Sequence, residues 1–189
     1  MMEITGGIAN GLKLLELAED TGIRPTLVRA RRSFFDKLGS IQGTVFADCF
    51  AGSGIMGLEA ASRGAGVVYS AEESNIALRQ IKKNIHRIQR TGVTAEFIPL
   101  QGSLPASLIR HRPSYQPDIV FADPPYQQSM NLLEEMTLSP FFTQWCGKAM
   151  LYWELPDFEI ELHPPKPPWM LLDIMHSGAT SFLVMRIRK

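Results

Sequence analysis

Two patterns of hydrophobic and polar residues alternate through most of the chain. Short, nearly continuous apolar runs are typical of strands buried on both faces of a sheet. They lie at Thr44–Phe50, Gly66–Ala71, Thr94–Leu100, Asp118–Ala122 and Ala149–Trp153. Between the runs, a return of apolar residues near the helical period predicts helices over Ser74–Arg90, Leu58–Ser62 and Leu132–Met136. Strands alternating with helices favour an α/β, Rossmann-like fold with a doubly wound, mostly parallel sheet.

The two ends of the chain depart from this alternation. Residues 169–189 hold two apolar runs around Ser177-Gly178-Ala179, which predicts a C-terminal antiparallel hairpin. The proline-rich stretch 163–169 before it is predicted to be a loop. Residues 1–40 are predicted to form a short N-terminal extension with a helix over Val28–Leu38, followed by one domain over 41–189.

Composition narrows the classes of protein. The chain has 19 basic and 19 acidic residues, so its overall charge gives no general attraction for nucleic acid, although local patches can still bind it. Cys49, Cys146 and the four histidines lack metal-ligand spacing, so we expect reduced core thiols and no metal. The N-terminus does not resemble a signal peptide, and no apolar run would span a membrane. These features predict a cytoplasmic protein.

A glycine-rich turn follows the first predicted strand and precedes a helix. In "DCFAGSGIMGLEA", residues 48–60, Gly52, Gly54 and Gly57 form a G-x-G-x-x-G pattern. Glycine allows a sharp turn and a close approach of the backbone to a ligand, beside the N–H groups that open the helix. An acid about 20 residues further on, at the end of the next strand, suits the hydroxyls of a ribose, and both Glu72 and Glu73 qualify. On these residues alone, a nicotinamide cofactor is one possibility.

The fourth predicted strand ends in "VFADPPY", residues 120–126. Pro124 and Pro125 cannot continue a sheet, so the strand stops at Asp123, beside the glycine turn. The Asp123 carboxylate and the Pro124 carbonyl are two acceptors that can hold the hydrogens of an exocyclic amine, while Tyr126 can stack on the base. A methyl sulfonium in the same crevice would then be attacked in line. This pattern favours amine methylation over hydride transfer.

These motifs resemble the S-adenosylmethionine-dependent methyltransferases that modify guanine N2 in bacterial small-subunit (16S) rRNA. The resemblance covers most of the chain and includes "ITGGIANGLKL" at the start, "GIRPTLVRARRSFFDKL" at 22–38, "YWE" at 152–154 and "HSGATSFLVMRI" near the end. It implies a Rossmann-like class I methyltransferase fold and S-adenosyl-L-methionine as cofactor.

The resemblance also implies roles for individual residues. Asp48, Gly52, Gly54 and Glu72 would hold the cofactor. Asp123, Pro124, Pro125 and Tyr126 would hold the target amine, and Arg24, Pro25 and Thr26 would close over the site. The chain departs from the family pattern where Lys13 is the only basic residue of the opening motif, and where Ser74 and Ser103 replace acids. Ser103 would then stand beside the adenine of the cofactor.

A basic run precedes the first strand. Arg24, Arg29, Arg31 and Arg32 are expected to contact RNA phosphates, whereas the basic face of residues 79–90 is expected to be solvated. The predicted partner is 16S rRNA or the small ribosomal subunit, bound by a monomer. The alternatives are a DNA adenine-N6 methyltransferase and an RNA-binding ribosome-assembly factor with weakened catalysis.

Overall fold

The computed structural model describes residues 2–16, 28–155, 165–177 and 180–188. Its centre is one seven-stranded sheet with the order β3-β2-β1-β4-β5-β7-β6. The strands are β1 (Val45–Asp48), β2 (Val67–Glu72), β3 (Glu96–Gln101), β4 (Ile119–Ala122), β5 (Met150–Leu155), β6 (Trp169–Ser177) and β7 (Thr180–Ile187). The first five are parallel, and β7 pairs antiparallel with both β5 and β6. The doubly wound parallel sheet and the C-terminal hairpin are therefore confirmed.

Helices cover both faces of the sheet. They are α1 (Val28–Leu38), α2 (Ile55–Ser62), α3 (Asn75–Gln89), α4 (Ala106–His111), α5 (Ser129–Leu138) and α6 (Pro140–Cys146), with a 3-10 turn over Tyr126–Gln128. The short helices α4 and α6 were not predicted from the sequence. Of the predicted 163–169 loop, residues 165–168 lie outside strands and helices, Trp169 begins β6, and 163–164 lie outside the described residues.

The sheet separates two hydrophobic cores because neighbouring strand residues point to opposite faces. In β1, Phe46 joins a core with α1, α2 and α3, whereas Ala47 joins a core with α4, α5 and α6. Both faces of the central strands β1 and β4 are therefore covered by apolar residues, which explains the nearly continuous apolar sequences of these two strands.

The described part of the N-terminal extension belongs to the first core. Ile4 and Phe34 are fully buried there together with Phe46. Gly7 has a positive φ of 75°, and a Cβ at this position would lie 1.8 Å from the Ser62 carbonyl oxygen of α2. The glycines of the opening motif thus allow the N-terminal segment to pack tightly on α2.

Candidate active site

The site lies where the strand order reverses. Chain connections run outward from β1 through β2 to β3 on one side, and from β4 to β5 on the other. The segments that leave the carboxyl ends of β1 and β4 therefore border one crevice, which is where ligands bind in open α/β sheets. The glycine turn follows β1 and the Asp123 motif follows β4, so the fold brings the two predicted motifs together.

The glycine turn needs glycine at two positions. Gly52 and Gly54 have φ values of 50° and 78°, and Gly54 is the residue before α2. At Gly54 a Cβ would also lie 2.7 Å from Ile81 of α3. The turn therefore combines a left-handed backbone with close packing, and it places the N–H groups that begin α2 beside the crevice.

Glu72 at the end of β2 is oriented toward this turn. Its carboxylate accepts hydrogen bonds of 2.7 Å from the N–H groups of Gly52 and Ser74. Glu72 is partly buried, whereas Glu73 is exposed. Ser74 caps α3 by accepting a hydrogen bond from the Ala77 N–H, so the serine at this position supports the helix.

Asp48 is a buried acid at the end of β1. It is 2% exposed, and neither carboxylate oxygen has a hydrogen-bond partner within the described residues. Burial, followed by the charges of Asp123 and Glu72, raises the pKa of Asp48 to about 8. The N–H groups of Phe50 and Gly57 lower this pKa in part, without reaching hydrogen-bond geometry. A buried acid without a partner is costly, which suggests that a ligand supplies one.

The Asp123 motif leaves β4 as an extended segment and enters the 3-10 turn at Tyr126. Asp123 is partly buried, Pro124 is buried, and the Tyr126 ring is about half exposed. Burial raises the pKa of Asp123 to about 6, while its interaction with the Glu154 carboxyl group lowers it. The motif thus offers an acid followed by two prolines and an accessible aromatic ring.

Glu154 is a site residue that sequence reasoning did not assign. It lies near the end of β5, one strand beyond β4, and only 4% of it is exposed. Its Oε1 accepts a hydrogen bond of 3.2 Å from the Tyr126 hydroxyl. Burial and the neighbouring charge of Asp123 raise the pKa of Glu154 to about 8. The available signal was "YWE", an acid that ends the fifth strand at the same edge as Asp123.

The position of Arg31 differs from the prediction that this residue contacts RNA. Its side chain is 1% exposed, its Nε lies 3.3 Å from Glu59, and it donates to the Glu3 carbonyl at 2.6 Å. Burial lowers the pKa of Arg31, and Glu59 opposes that shift. The prediction that Arg31 contacts RNA phosphates is wrong in this fold, because the guanidinium joins α1 to α2 and to the N-terminal segment.

The other predicted contacts stay predictions. Arg29 and Arg32 are exposed on α1. Ser103 is exposed just after β3, where the adjacent Gly102 N–H donates to the Glu72 carbonyl at 3.0 Å. Arg24, Pro25 and Thr26 lie outside the described residues. Among those that are described, no helix combines the length and apolarity needed to cross a bilayer, and no three acids, histidines or cysteines are placed for a metal ion.

A cavity of about 520 Å³ lies away from this site. It is lined by Gly147, Lys148, Met170, Arg186, Ile187 and Arg188. Because β7 runs antiparallel to β5, its last residues lie near the start of β5. This cavity is therefore at the opposite edge of the sheet from Asp48, Asp123 and Glu154.

The strand order, the glycine turn and the Asp123 motif together define a Rossmann-like class I methyltransferase. The chain belongs to the family described as Conserved hypothetical protein 95, whose model matches residues 2–155. Together with the relative that follows, this match shows a family of S-adenosylmethionine-dependent 16S rRNA methyltransferases. A relative from Haemophilus influenzae, Ribosomal RNA small subunit methyltransferase D, is 32% identical over 185 residues, which covers 96% of this chain and 91% of the relative.

Two solved structures share the fold over nearly the whole chain. A hypothetical protein from Thermus thermophilus is 26% identical, with a TM-score of 0.71 and coverage of 99% of this chain and 100% of the other. The candidate methyltransferase yhhF from Escherichia coli is 23% identical, also with a TM-score of 0.71, and the match covers 99% of this chain and 98% of the other. The predictions of family, fold and cofactor are therefore confirmed at the level of the family.

The residues present fit this cofactor. S-adenosylmethionine is cationic at its sulfur and at its amino group, and the buried Asp48 carboxylate has no partner within the described part of the chain. Gly52 and Gly54 have no side chains that would keep a ligand away from their own backbone atoms. The Asp48 carboxylate thus suits a cation at the end of β1, and the Glu72 carboxylate suits a group with hydroxyls at the end of β2.

Proposed function

We propose that this protein transfers a methyl group from S-adenosylmethionine to the exocyclic N2 amine of a guanine in 16S rRNA. The observation that carries the proposal is the position of Asp123. This acid follows β4 at the point of strand reversal, across from the glycine turn that follows β1. The family relationship supports small-subunit rRNA as the substrate, because the relative from Haemophilus influenzae carries that name.

The residues of the cofactor site have separate tasks. Asp48 is a buried acid at the end of β1 that would give up its proton when a cation binds beside it. Gly52 and Gly54 offer backbone surface, and Glu72 offers acceptors for ribose hydroxyls. Ser103 follows β3 and would lie beside the adenine. When bound, the cofactor supplies a methyl group on a positively charged sulfur.

The Asp123 motif would prepare the amine. The lone pair of an exocyclic amine is delocalised into its ring, so the amine is a weak nucleophile. The Asp123 carboxylate and the Pro124 carbonyl would each accept a hydrogen bond from the amine. Because these acceptors are preorganised, they would expose the lone pair of the nitrogen. Pro125 would stiffen the segment, and the half-exposed Tyr126 ring would stack on a guanine that has left its helix.

The reaction also requires a place for one proton. On taking up the methyl group that the cofactor would supply, N2 would have to lose one hydrogen as a proton. Asp123 is in contact with that hydrogen in our proposal, and its pKa of about 6 allows it to take the proton and pass it to water. Asp123 would thus serve first as an acceptor of a hydrogen bond and then as a base.

We propose that exposed basic residues of α1 hold the RNA. Arg29 and Arg32 are the described arginines that we propose as phosphate contacts, and Arg24 and Thr26 complete that proposal. We further propose that the protein acts as a monomer in the cytoplasm, on the small subunit or its RNA. Such phosphate contacts position the RNA, while the site itself selects the base.

The test uses cofactor with a labelled methyl group. The protein is incubated separately with small ribosomal subunits, naked 16S rRNA and DNA, and the products are digested to nucleosides. We expect label only in RNA, as N2-methylguanosine. Label in DNA as N6-methyladenine would identify the amine methyltransferase of the alternative class. RNA binding with no label in any sample would instead support an assembly factor without catalysis.

A further inference from the structure

We infer that Glu154 accepts a hydrogen bond from the N1–H group of the target guanine and thereby selects guanine over bases with an acceptor at N1. This inference rests on the proposed function, since it assigns a specificity-determining residue to the same site. It goes further because it states which edge of the base is recognised, and by which side chain.

Glu154 is fixed in place from two directions. Its strand pairs with β4 on one side and with β7 on the other, where Glu154 lies opposite Phe182. The Tyr126 hydroxyl donates to Oε1 at 3.2 Å. The acid is therefore attached to the ring that we propose to stack on the base, and its carboxylate cannot turn away without breaking that hydrogen bond.

The second carboxylate oxygen of Glu154, Oε2, is buried and accepts no hydrogen bond from an N–H or hydroxyl group of the described residues. The side chains of Thr180 and Asp123 interact with the Glu154 carboxyl group and shift its pKa, Thr180 downward and Asp123 upward, while no described donor makes a hydrogen bond to Oε2. Buried polar atoms nearly always have a partner, so an unpartnered acceptor beside the amine-binding acid indicates a donor on a ligand.

Guanine has two neighbouring donors that match this pair of acids. On its Watson–Crick edge, the N1–H lies next to the N2 amine. With the amine at Asp123, the adjacent N1–H would meet the carboxylate on the neighbouring strand. Adenine presents an acceptor at N1, so its lone pair would face the Glu154 oxygen with no proton between them. A buried acceptor left unpaired in this way rejects the wrong base.

The electrostatics of the free site agree with this arrangement. The pKa of Asp123 is raised to about 6 and that of Glu154 to about 8, in both cases mainly by burial. The pair therefore avoids a double negative charge at neutral pH by retaining a proton. A bound guanine would supply two N–H donors in place of that proton.

The test compares two bases that both carry an N2 amine. The target guanine, located first by the nucleoside assay, is replaced in a synthetic RNA by 2,6-diaminopurine, whose N1 is an acceptor. Single-turnover methyl transfer is measured on both RNAs with the wild-type protein. We expect guanine to react on the order of 100-fold faster. Equal rates would overturn the inference, and this comparison needs no variant.

The variant Glu154→Gln provides the second comparison. Its amide oxygen can still accept from Tyr126, while its N–H₂ group can donate to the N1 of diaminopurine. We expect the rate on guanine to fall on the order of 100-fold and the preference for guanine to disappear or reverse. Glu135→Gln makes the same chemical change at an exposed position on α5 and should keep the wild-type preference. Thermal unfolding and binding of S-adenosylhomocysteine check that the variant is folded.

The outcomes separate the two proposals. If the wild-type protein never methylates guanine N2, the proposed function fails, and the role of Glu154 fails with it. If guanine N2 is methylated but Glu154→Gln keeps the preference over diaminopurine, only the role of Glu154 is overturned. A loss of preference in the folded variant supports both.

Discussion

The Glu72 carboxylate accepts a hydrogen bond of 2.7 Å from the backbone N–H of Gly52. The acid at the end of β2 and the turn after β1 are therefore joined before any ligand binds. If Glu72 also accepts hydrogen bonds from the ribose of the cofactor, cofactor binding would be coupled to the conformation of the glycine turn. Glu73, exposed beside it, has no such contact among those described.

The first prediction concerns this acid. Glu72→Ala should weaken the binding of S-adenosylhomocysteine by about 1–3 kcal/mol, because it removes hydrogen bonds to a charged group. Glu73→Ala is the matched control and should bind normally. Calorimetry on both variants decides between the two positions. A defect in the Glu73 variant alone would show that the ribose contact belongs to Glu73 and not to Glu72.

The second prediction concerns Asp48 and the pH dependence of stability. Its pKa is about 8 in the folded protein and near 4 in the unfolded chain, so the folded state binds the extra proton between these values. Its contribution to the free energy of unfolding therefore falls as the pH rises from about 4 to about 8, and is constant above that. Asp48→Asn does not titrate, so its stability relative to wild type should increase over this window.

Urea unfolding of both proteins at pH 5, 7 and 9 measures that difference. We expect Asp48→Asn to gain stability relative to wild type between pH 5 and 7, and to bind the cofactor more weakly. A difference in stability that does not change between pH 5 and 9 would show that Asp48 is not held in its protonated form.

Much of the fold could be predicted from the sequence because the central parallel strands are buried on both faces. Their apolar residues are continuous from Val45 to Ala47 and from Ile119 to Ala122, and Gly52 and Pro124, which follow these strands, have distinctive backbone conformations. Short helices gave no comparable signal. The six residues of α4 span fewer than two helical turns, too few for a period to emerge.

The side-chain partners were harder to predict than the backbone. Arg31 and Arg32 are neighbours of the same type, and only the first meets Glu59, 28 residues away on another helix. Glu154 likewise depends on Tyr126, 28 residues earlier and one strand away. Whether a charged residue is buried depends on such long-range pairs, which neither composition nor periodicity shows.

The third prediction separates these two arginines. Arg31→Ala should lower the free energy of unfolding by about 3–5 kcal/mol, because it leaves Glu59 buried with one partner fewer. The double variant Arg29→Ala/Arg32→Ala should change the free energy of unfolding by only about 0.5 kcal/mol, since both side chains are exposed. The double variant should instead weaken RNA binding, and lower the slope of its salt dependence by about 1 for each phosphate that it no longer neutralises.

Urea unfolding and RNA binding over a range of salt concentrations measure the two effects. An unchanged salt slope in the double variant would show that Arg29 and Arg32 are solvated surface residues. A normal stability for Arg31→Ala would contradict the buried ion pair.

The fourth prediction concerns Tyr126. Tyr126→Ala should weaken RNA binding by about 1–3 kcal/mol because the base can no longer stack on the ring. Tyr126→Phe keeps the ring but removes the hydrogen bond to Glu154, so RNA binding should be retained while the preference for guanine declines. If both variants weaken RNA binding equally, the hydroxyl and not the ring would account for the effect.

The most direct test of the account is the single-turnover rate of methyl transfer by Asp123→Asn on bound RNA. The amide has almost the shape of the acid, so folding and cofactor binding should stay close to wild type. Its nitrogen is a donor and its charge is gone, so we predict a rate that is lower by about a hundredfold or more, equivalent to a loss of about 3 kcal/mol of transition-state stabilisation. A folded, cofactor-binding Asp123→Asn protein that methylates RNA at the wild-type rate would contradict the role of this acid in holding the amine.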